Sequence, residues 1–279
     1  MTTTTHYSIA EFVIVISDSH HPLNNESLRL STLKFIEDMH EIYGEKLTVV
    51  HNGDLCDFPQ FSKYLVDPRD RAAKDLNGTL RAARFELSEI SRVAPKARKC
   101  FKEGNHDNRI YTDILRKAPA LIELPELNLN HLYHLEKNGW EFFRTTDRLV
   151  LEGGLKITHG DRHSSAGSAY TAMAELRHGD SGLSMITGHI HTFAHVYTSD
   201  TFALVCGYMG SMEPGAFGYR GDRLTTCRPG FAVAKRVRMD ERDNKGRFRG
   251  SKTKWIANTV EAFGPKHDTF HYQGKFYSA

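Results

Sequence analysis

The sequence predicts an α/β protein. Short β-rich runs alternate with amphipathic helical stretches, and a polar cluster follows each of five β-rich runs. Composition agrees, since 39% hydrophobic and 25% charged residues in a chain of 279 suit a packed globular chain and argue against disorder. Strands are expected at Phe12–Ile16, Leu47–Val50, Arg98–Phe101, Leu155–Thr158, Ser184–Thr187 and Phe202–Cys206. Between the first two, Leu30, Leu33, Ile36, Met39 and Tyr43 recur at helical spacing, with Asn25 as a cap and Gly44 as a stop. A second helix is read from Leu76, Leu80, Ala83, Leu87 and Ile90, closed by Pro95, and a third from Ser168 to His178, ending at Gly179.

The chain divides softly near residue 234, giving a main domain at 1–234 and a C-terminal extension at 235–279. Lys235 to Lys254 holds nine basic residues against three acidic ones, a local excess of +6 within a net charge of +3. The rest is therefore net acidic. This stretch reads as a hairpin or a flexible arm, and Asp268–Tyr277 as a terminal hairpin turning at Gln273-Gly274. The longest apolar run, Phe12–Ile16, is far short of the roughly 20 residues of a membrane helix. The amino terminus carries neither the basic nor the apolar region of a secretory signal, so the expected location is cytoplasmic. Cys56, Cys100, Cys206 and Cys227 lie far apart, which predicts buried free thiols.

The five clusters are Asp18-Ser19-His20, Gly53-Asp54-Leu55-Cys56-Asp57, Gly104-Asn105-His106-Asp107, Thr158-His159-Gly160-Asp161 and Gly188-His189-Ile190-His191. Residues beyond the carboxyl ends of strands share one crevice in an open α/β sheet. Carboxylate, imidazole and amide donors without a thiolate suit manganese, iron or zinc. Asp18 and His20, spaced by one residue on an extended segment, are expected to face the same way, as are His189 and His191. Each cluster alone also reads as a cap or turn. Five in order, each after a strand, point to a metal site.

The series resembles the calcineurin-like metallophosphoesterase family, whose pattern is D-x-H, G-D-x-x-D, G-N-H-D/E, H and G-H-x-H. The resemblance covers Asp18 to His191. It implies a four-layer αββα sandwich with a dinuclear metal site at the strand ends. Asp18, His20 and His191 would hold one divalent ion and Asn105, His159 and His189 the other, with Asp54 bridging. Manganese is the first expectation, with iron, zinc or nickel as alternatives. His106 corresponds to the general acid that assists the leaving group after attack by a metal-bridging hydroxide, with Asp107 orienting it and Asp57 in support. Arg109 is a candidate contact for substrate phosphate, with a plain surface role equally open. His21, His163 and His195 read as bystanders.

The implied activity is metal-dependent hydrolysis of phosphoesters, diesters first. Asp57-Phe58-Pro59 and Asp107 depart from the protein serine/threonine phosphatase pattern. A small-molecule phosphomonoesterase and a non-catalytic scaffold on the same fold stay open. Nucleic acid is a candidate partner through 235–254, no membrane partner is expected, and oligomeric state is not readable.

Overall fold

The computed structural model describes residues 9–62, 75–161, 182–198, 200–213 and 226–279. The third helix expected at Ser168–His178 and His163 lie outside the described residues. Along the chain come β1 (Phe12–Ile16), α1 (Glu26–Tyr43), β2 (Leu47–His51), α2 (Leu76–Val93), β3 (Arg98–Lys102), α3 (Arg109–Lys117) and α4 (Leu129–Leu132). There follow β4 (Trp140–Phe143), β5 (Leu149–Leu151), β6 (Leu155–Thr158), β7 (Ser184–Thr187), β8 (Ala194–Tyr197) and β9 (Phe202–Val205). The chain ends with β10 (Gly230–Arg242), β11 (Phe248–Glu261), β12 (Phe270–Tyr272) and β13 (Lys275–Tyr277).

Two sheets form the body. One has the order β11-β10-β1-β2-β3-β4 and the other β5-β6-β7-β9-β8. β1 to β4 run parallel, as do β6, β7 and β9. The period-2 alternation of a strand builds the layers. On β1, Phe12, Ile14 and Ile16 join the core beneath α1 and α2, while Val13 and Val15 join a second core shared with Leu155, Ile157, Ile186 and Leu204 of the other sheet. The first sheet is thus covered on both faces, by helices on one side and the second sheet on the other. The α/β class and the paired sheets of the expected sandwich are present. Among the described residues the outer helical layer lies on the first sheet.

The helix signals hold locally. Asn25 caps α1, its side chain accepting from Leu28 N at 3.0 Å, and Gly44 ends it at φ +53°. The four cysteines are free and buried. No described helix is long and apolar enough to cross a membrane.

The basic stretch is a hairpin. β10 pairs antiparallel with β11 from Gly230↔Glu261 outward, so the soft boundary near 234 falls inside a strand that also pairs with β1 from Val15↔Ala232 to Phe12↔Lys235. The terminal hairpin forms as well. Gln273 and Gly274 adopt left-handed φ of 45° and 86°, as a two-residue turn between twisted strands requires. Its Phe270 and Tyr277 pack in the helix-side core against Phe35.

Candidate metal centre

Every ligand candidate leaves the carboxyl end of a parallel strand. Asp18 and His20 follow β1, Asp54 follows β2, Asn105 follows β3, His159 follows β6, and His189 and His191 follow β7. Backbone bonds lock the first two loops together, with Asp18 N donating to Gly53 O (3.0 Å) and His20 N to Asp54 O (2.9 Å). Gly188 N donates to His159 O at 2.9 Å. Close approach explains two glycines. A Cβ on Gly104 would stand 2.2 Å from Asp54 Oδ1, and one on Gly188 would stand 2.1 Å from Ser17 Oγ.

The local geometry differs from the extended D-x-H expected. Asp18, His20, Asp54, His189 and His191 all take positive φ, between 53° and 69°, a region costly for residues with a Cβ. The side chains converge through left-handed turns rather than strand alternation.

They converge on two points. His191 Nε2 lies 3.1 Å from Asp18 Oδ1 and 3.1 Å from His20 Nε2, and His20 Nε2 lies 3.7 Å from Asp18 Oδ1. Nearby, His159 Nε2 lies 3.2 Å from Asp54 Oδ2 and 3.1 Å from Asn105 Oδ1. Asp54, His159 and His189 offer ligand atoms within 4.8 Å of one another, as do Asp18, His20 and His191. Asp54 Oδ2 links the groups, being 3.9 Å from His20 Nε2.

This donor set fits divalent metal. Asp54 Oδ2 and His189 Nδ1 are buried without a hydrogen-bond partner, which is costly unless something positive satisfies them. Outer partners fix the rings, since His20 Nδ1 meets Asp57 Oδ1 at 3.0 Å and His159 Nδ1 donates to Asn52 O at 2.8 Å. Each leaves its Nε2 toward the centre. Burial pushes both imidazoles down, yet Asp18, Asp57 and Asp54 lift His20 to about 9, and Asp54 lifts His159 to about 10. Burial alone would raise Asp18, Asp54 and Asp57, but the facing histidines hold all three low. The pocket is built for positive charge, whether protons or metal.

His106 sits beside it with an unforeseen pair of neighbours. Its Nδ1 lies 2.9 Å from Asp57 Oδ1, and its Nε2 lies 2.8 Å from Arg109 Nη2. A guanidinium only donates, so Nε2 accepts and the proton is assigned to Nδ1. Burial, aided by the charge on His20, lowers this imidazole. Arg109 is tied to Asp57 O at 2.6 Å.

Asp107 is the correction. Expected to orient His106, it instead accepts from Asp54 N (2.7 Å), Gly104 N (3.0 Å) and the Tyr133 hydroxyl (2.7 Å). It braces the loops behind the site, and Asp57 is the carboxylate against the His106 ring. Burial and the neighbouring charge of Asp54 raise Asp107.

Several supports carry no signal in the sequence. Tyr208 stacks on His191 at 4.5 Å and 21°. Ser17 donates to Asp18 Oδ2 at 2.5 Å. His21, read as a bystander, is buried against Glu86 of α2, 2.6 Å from Oε2, and Ser19 donates to Glu86 Oε1 at 3.0 Å. His195 is half-buried against Tyr197.

No family model matches the chain. It is 27% identical to the Gene 54 protein of Mycobacterium phage D29 over 188 residues, 64% of this chain and 68% of that one. Among solved structures, Vacuolar Protein Sorting 29 from Cryptosporidium parvum is similar with a TM-score of 0.44 at 14% identity, covering 90% of this chain and 100% of that one. A conserved uncharacterized protein of Streptococcus pneumoniae TIGR4, described as a predicted phosphoesterase, gives 0.35 at 16% identity over the same shares.

Proposed function

We propose that the chain is a dinuclear, metal-dependent phosphoesterase of the calcineurin-like kind, acting on phosphodiesters. The observation that carries this is Asp54 Oδ2, buried without a hydrogen bond between His159 Nε2 on one side and His20 Nε2 on the other. A lone carboxylate oxygen facing two sets of nitrogen and oxygen donors suits a bridging ligand, because its lone pairs serve two ions.

In this reading Asp18, His20 and His191 would hold one ion, Asn105, His159 and His189 would hold the other, and Asp54 would serve both. Such a pair supplies neutralisation of phosphate charge and an acidified water near neutral pH. Asp57 fixes the His106 ring through Nδ1, so that Nε2 is the nitrogen aimed away from it, toward Arg109. Proton delivery to a leaving oxygen then requires His106 Nε2 to be released by Arg109, whose forked donors match phosphate. In this reading Arg109 would exchange the imidazole for the substrate, and the freed Nε2 would take up a proton from solvent, which it then passes to the leaving oxygen.

The test is hydrolysis of bis(p-nitrophenyl) phosphate and p-nitrophenyl phosphate with manganese, against an EDTA control. Metal-dependent turnover faster on the diester is expected. His106→Ala should keep its metal and lose about 10²–10⁴-fold on substrates with poor leaving groups, and less on nitrophenyl esters. Absence of turnover on both esters in metal-loaded protein contradicts the reading.

A further inference from the structure

The basic hairpin is a projecting arm. β10 has β1 as its second neighbour only from Ala232 to Lys235. Arg236 N still donates to Glu11 O at 2.9 Å on that side, and from Val237 outward the strand pairs with β11 alone, through Arg242↔Phe248. At about 3.3 Å per residue this carries a two-stranded ribbon on the order of 20 Å beyond the sheet. Such ribbons are marginal by themselves, and this one is fastened at its root and tip. Trp255 Nε1 donates to Glu152 O at 2.9 Å, and Lys254 Nζ lies 3.2 Å from Asp200. At the tip, Asp243 accepts from the backbone of Lys245 and Arg247, both at 2.9 Å.

The direction of the arm matters. β10 is antiparallel to β1, so the ribbon extends past the amino ends of the parallel strands. The metal centre lies at their carboxyl ends. A polyanion on the ribbon therefore does not cover the centre, nor is it led straight into it.

Charge and shape bear on the partner. Arg238, Arg242, Lys245, Arg247, Arg249 and Lys252 are exposed along the ribbon. Asp243 is engaged with Arg247 and Arg249, at 3.0 and 3.5 Å. Opposed residues of an antiparallel pair share a face, which puts Arg238 with Thr253 on one side and Met239 with Lys252 on the other. Exposed Asp240 and Glu241 share these faces, so with Asp243 three carboxylates stand against the six cations, and the surplus of three suits a cleft lined by phosphates. Charged edges also deter strand-to-strand aggregation, but that leaves the surplus of basic residues around the turn unexplained. A two-stranded ribbon fits the major groove of B-DNA, about 12 Å wide, whereas the major groove of duplex RNA is too narrow and deep.

We propose that the β10–β11 ribbon is a docking arm for duplex DNA, lying in the major groove and contacting phosphates on both walls. Binding by the arm is independent of the metal centre and of hydrolysis there.

Anisotropy of a labelled 20-base-pair DNA, titrated in EDTA over a salt series, isolates the arm from any hydrolysis. The full chain should bind with affinity falling steeply with salt. The triple variant Arg238→Gln, Lys245→Gln, Lys252→Gln should bind at least tenfold more weakly at low salt, with a log–log slope shallower by about 0.9 for each phosphate no longer neutralised. Lys245→Gln and Lys252→Gln singly should each reduce the slope by about 0.9, which keeps the test valid should the triple variant misfold. Duplex RNA of the same sequence should bind at least tenfold more weakly. Unchanged slopes, equal binding of duplex RNA, or binding to phosphatidylserine vesicles with none to DNA would each overturn the proposal. Failure here leaves the metal assay untouched, and failure of that assay leaves this one standing.

Discussion

Asp18, His20, Asp54, His189 and His191 are held at left-handed φ, at a cost of order 1–3 kcal/mol each. Among the described residues, five of the nine non-glycine positions at positive φ are proposed ligands, the others being Phe58, His134, His267 and Gln273, so the strain is densest where a function would justify it. The motifs themselves are legible in the sequence because donor type and order survive in one dimension. Which carboxylate faces His106 is not, since Asp57 and Asp107 sit at similar motif positions and only the turn after β2 decides between them. The charge pattern yields a prediction for metal-free protein. His20 and His159 are raised from an ordinary 6.5 to about 9 and about 10. Their contribution is complete below pH 6.5 and disappears as pH rises through 9 and 10. Thermal melts of the metal-free chain should therefore show stability falling from pH 7 to 10, and the fall should shrink in His159→Ala. Metal displaces the same protons, so loading at pH 7 should release about two per chain. A flat melting profile from pH 6.5 to 10 would contradict this origin of the pocket's charge.

α2 shows how an element reaches the site without entering it. Its apolar stripe through Leu80, Ala83, Leu87 and Ile90 is readable from spacing, and all four are buried. Glu86 falls on the same inner face, where its carboxylate takes the hydroxyl of Ser19 and meets His21. These residues flank His20 in the chain, more than sixty positions from Glu86, and no spacing rule links them. Burial alone would raise Glu86, yet His21 and His51 hold it at about 2. Glu86→Ala should cost about 3–5 kcal/mol, as when one partner of a buried pair is removed, and Glu86→Gln less. Both should weaken the proposed ion at Asp18, His20 and His191 more than the one proposed at His159 and His189, measured by manganese titration calorimetry. Equal weakening at both would make Glu86 a general support of the fold. Strands of four or five buried residues stand out in the sequence, whereas β5 and β8 do not, being short and partly exposed. α3 escapes sequence reading because only Ile110 on it is buried.

At the scale of the molecule, the segment from Val260 to Tyr277 is part of the body. Val260, Ala262, Phe270 and Tyr277 lie in the helix-side core, although the basic residues that precede them suggest an appendage. Deleting 235–279 should therefore give insoluble or unfolded chain by circular dichroism, and a soluble, folded truncation would show the tail to be dispensable. Direction is what the sequence hides: charge counts along the chain do not say that the ribbon leaves the sheet at the end away from the metal centre. Antiparallel pairing with β1 decides that. The central claim is that five loops, meeting at one end of two sheets, assemble a centre for two ions with Asp54 between them. Elemental analysis of manganese-loaded, gel-filtered protein tests it most directly. About two ions per chain are expected in the wild type, about one in His191→Ala and in His159→Ala, and at most one in Asp54→Asn. A wild-type chain that retains none, or an Asp54→Asn chain that retains two, would contradict it.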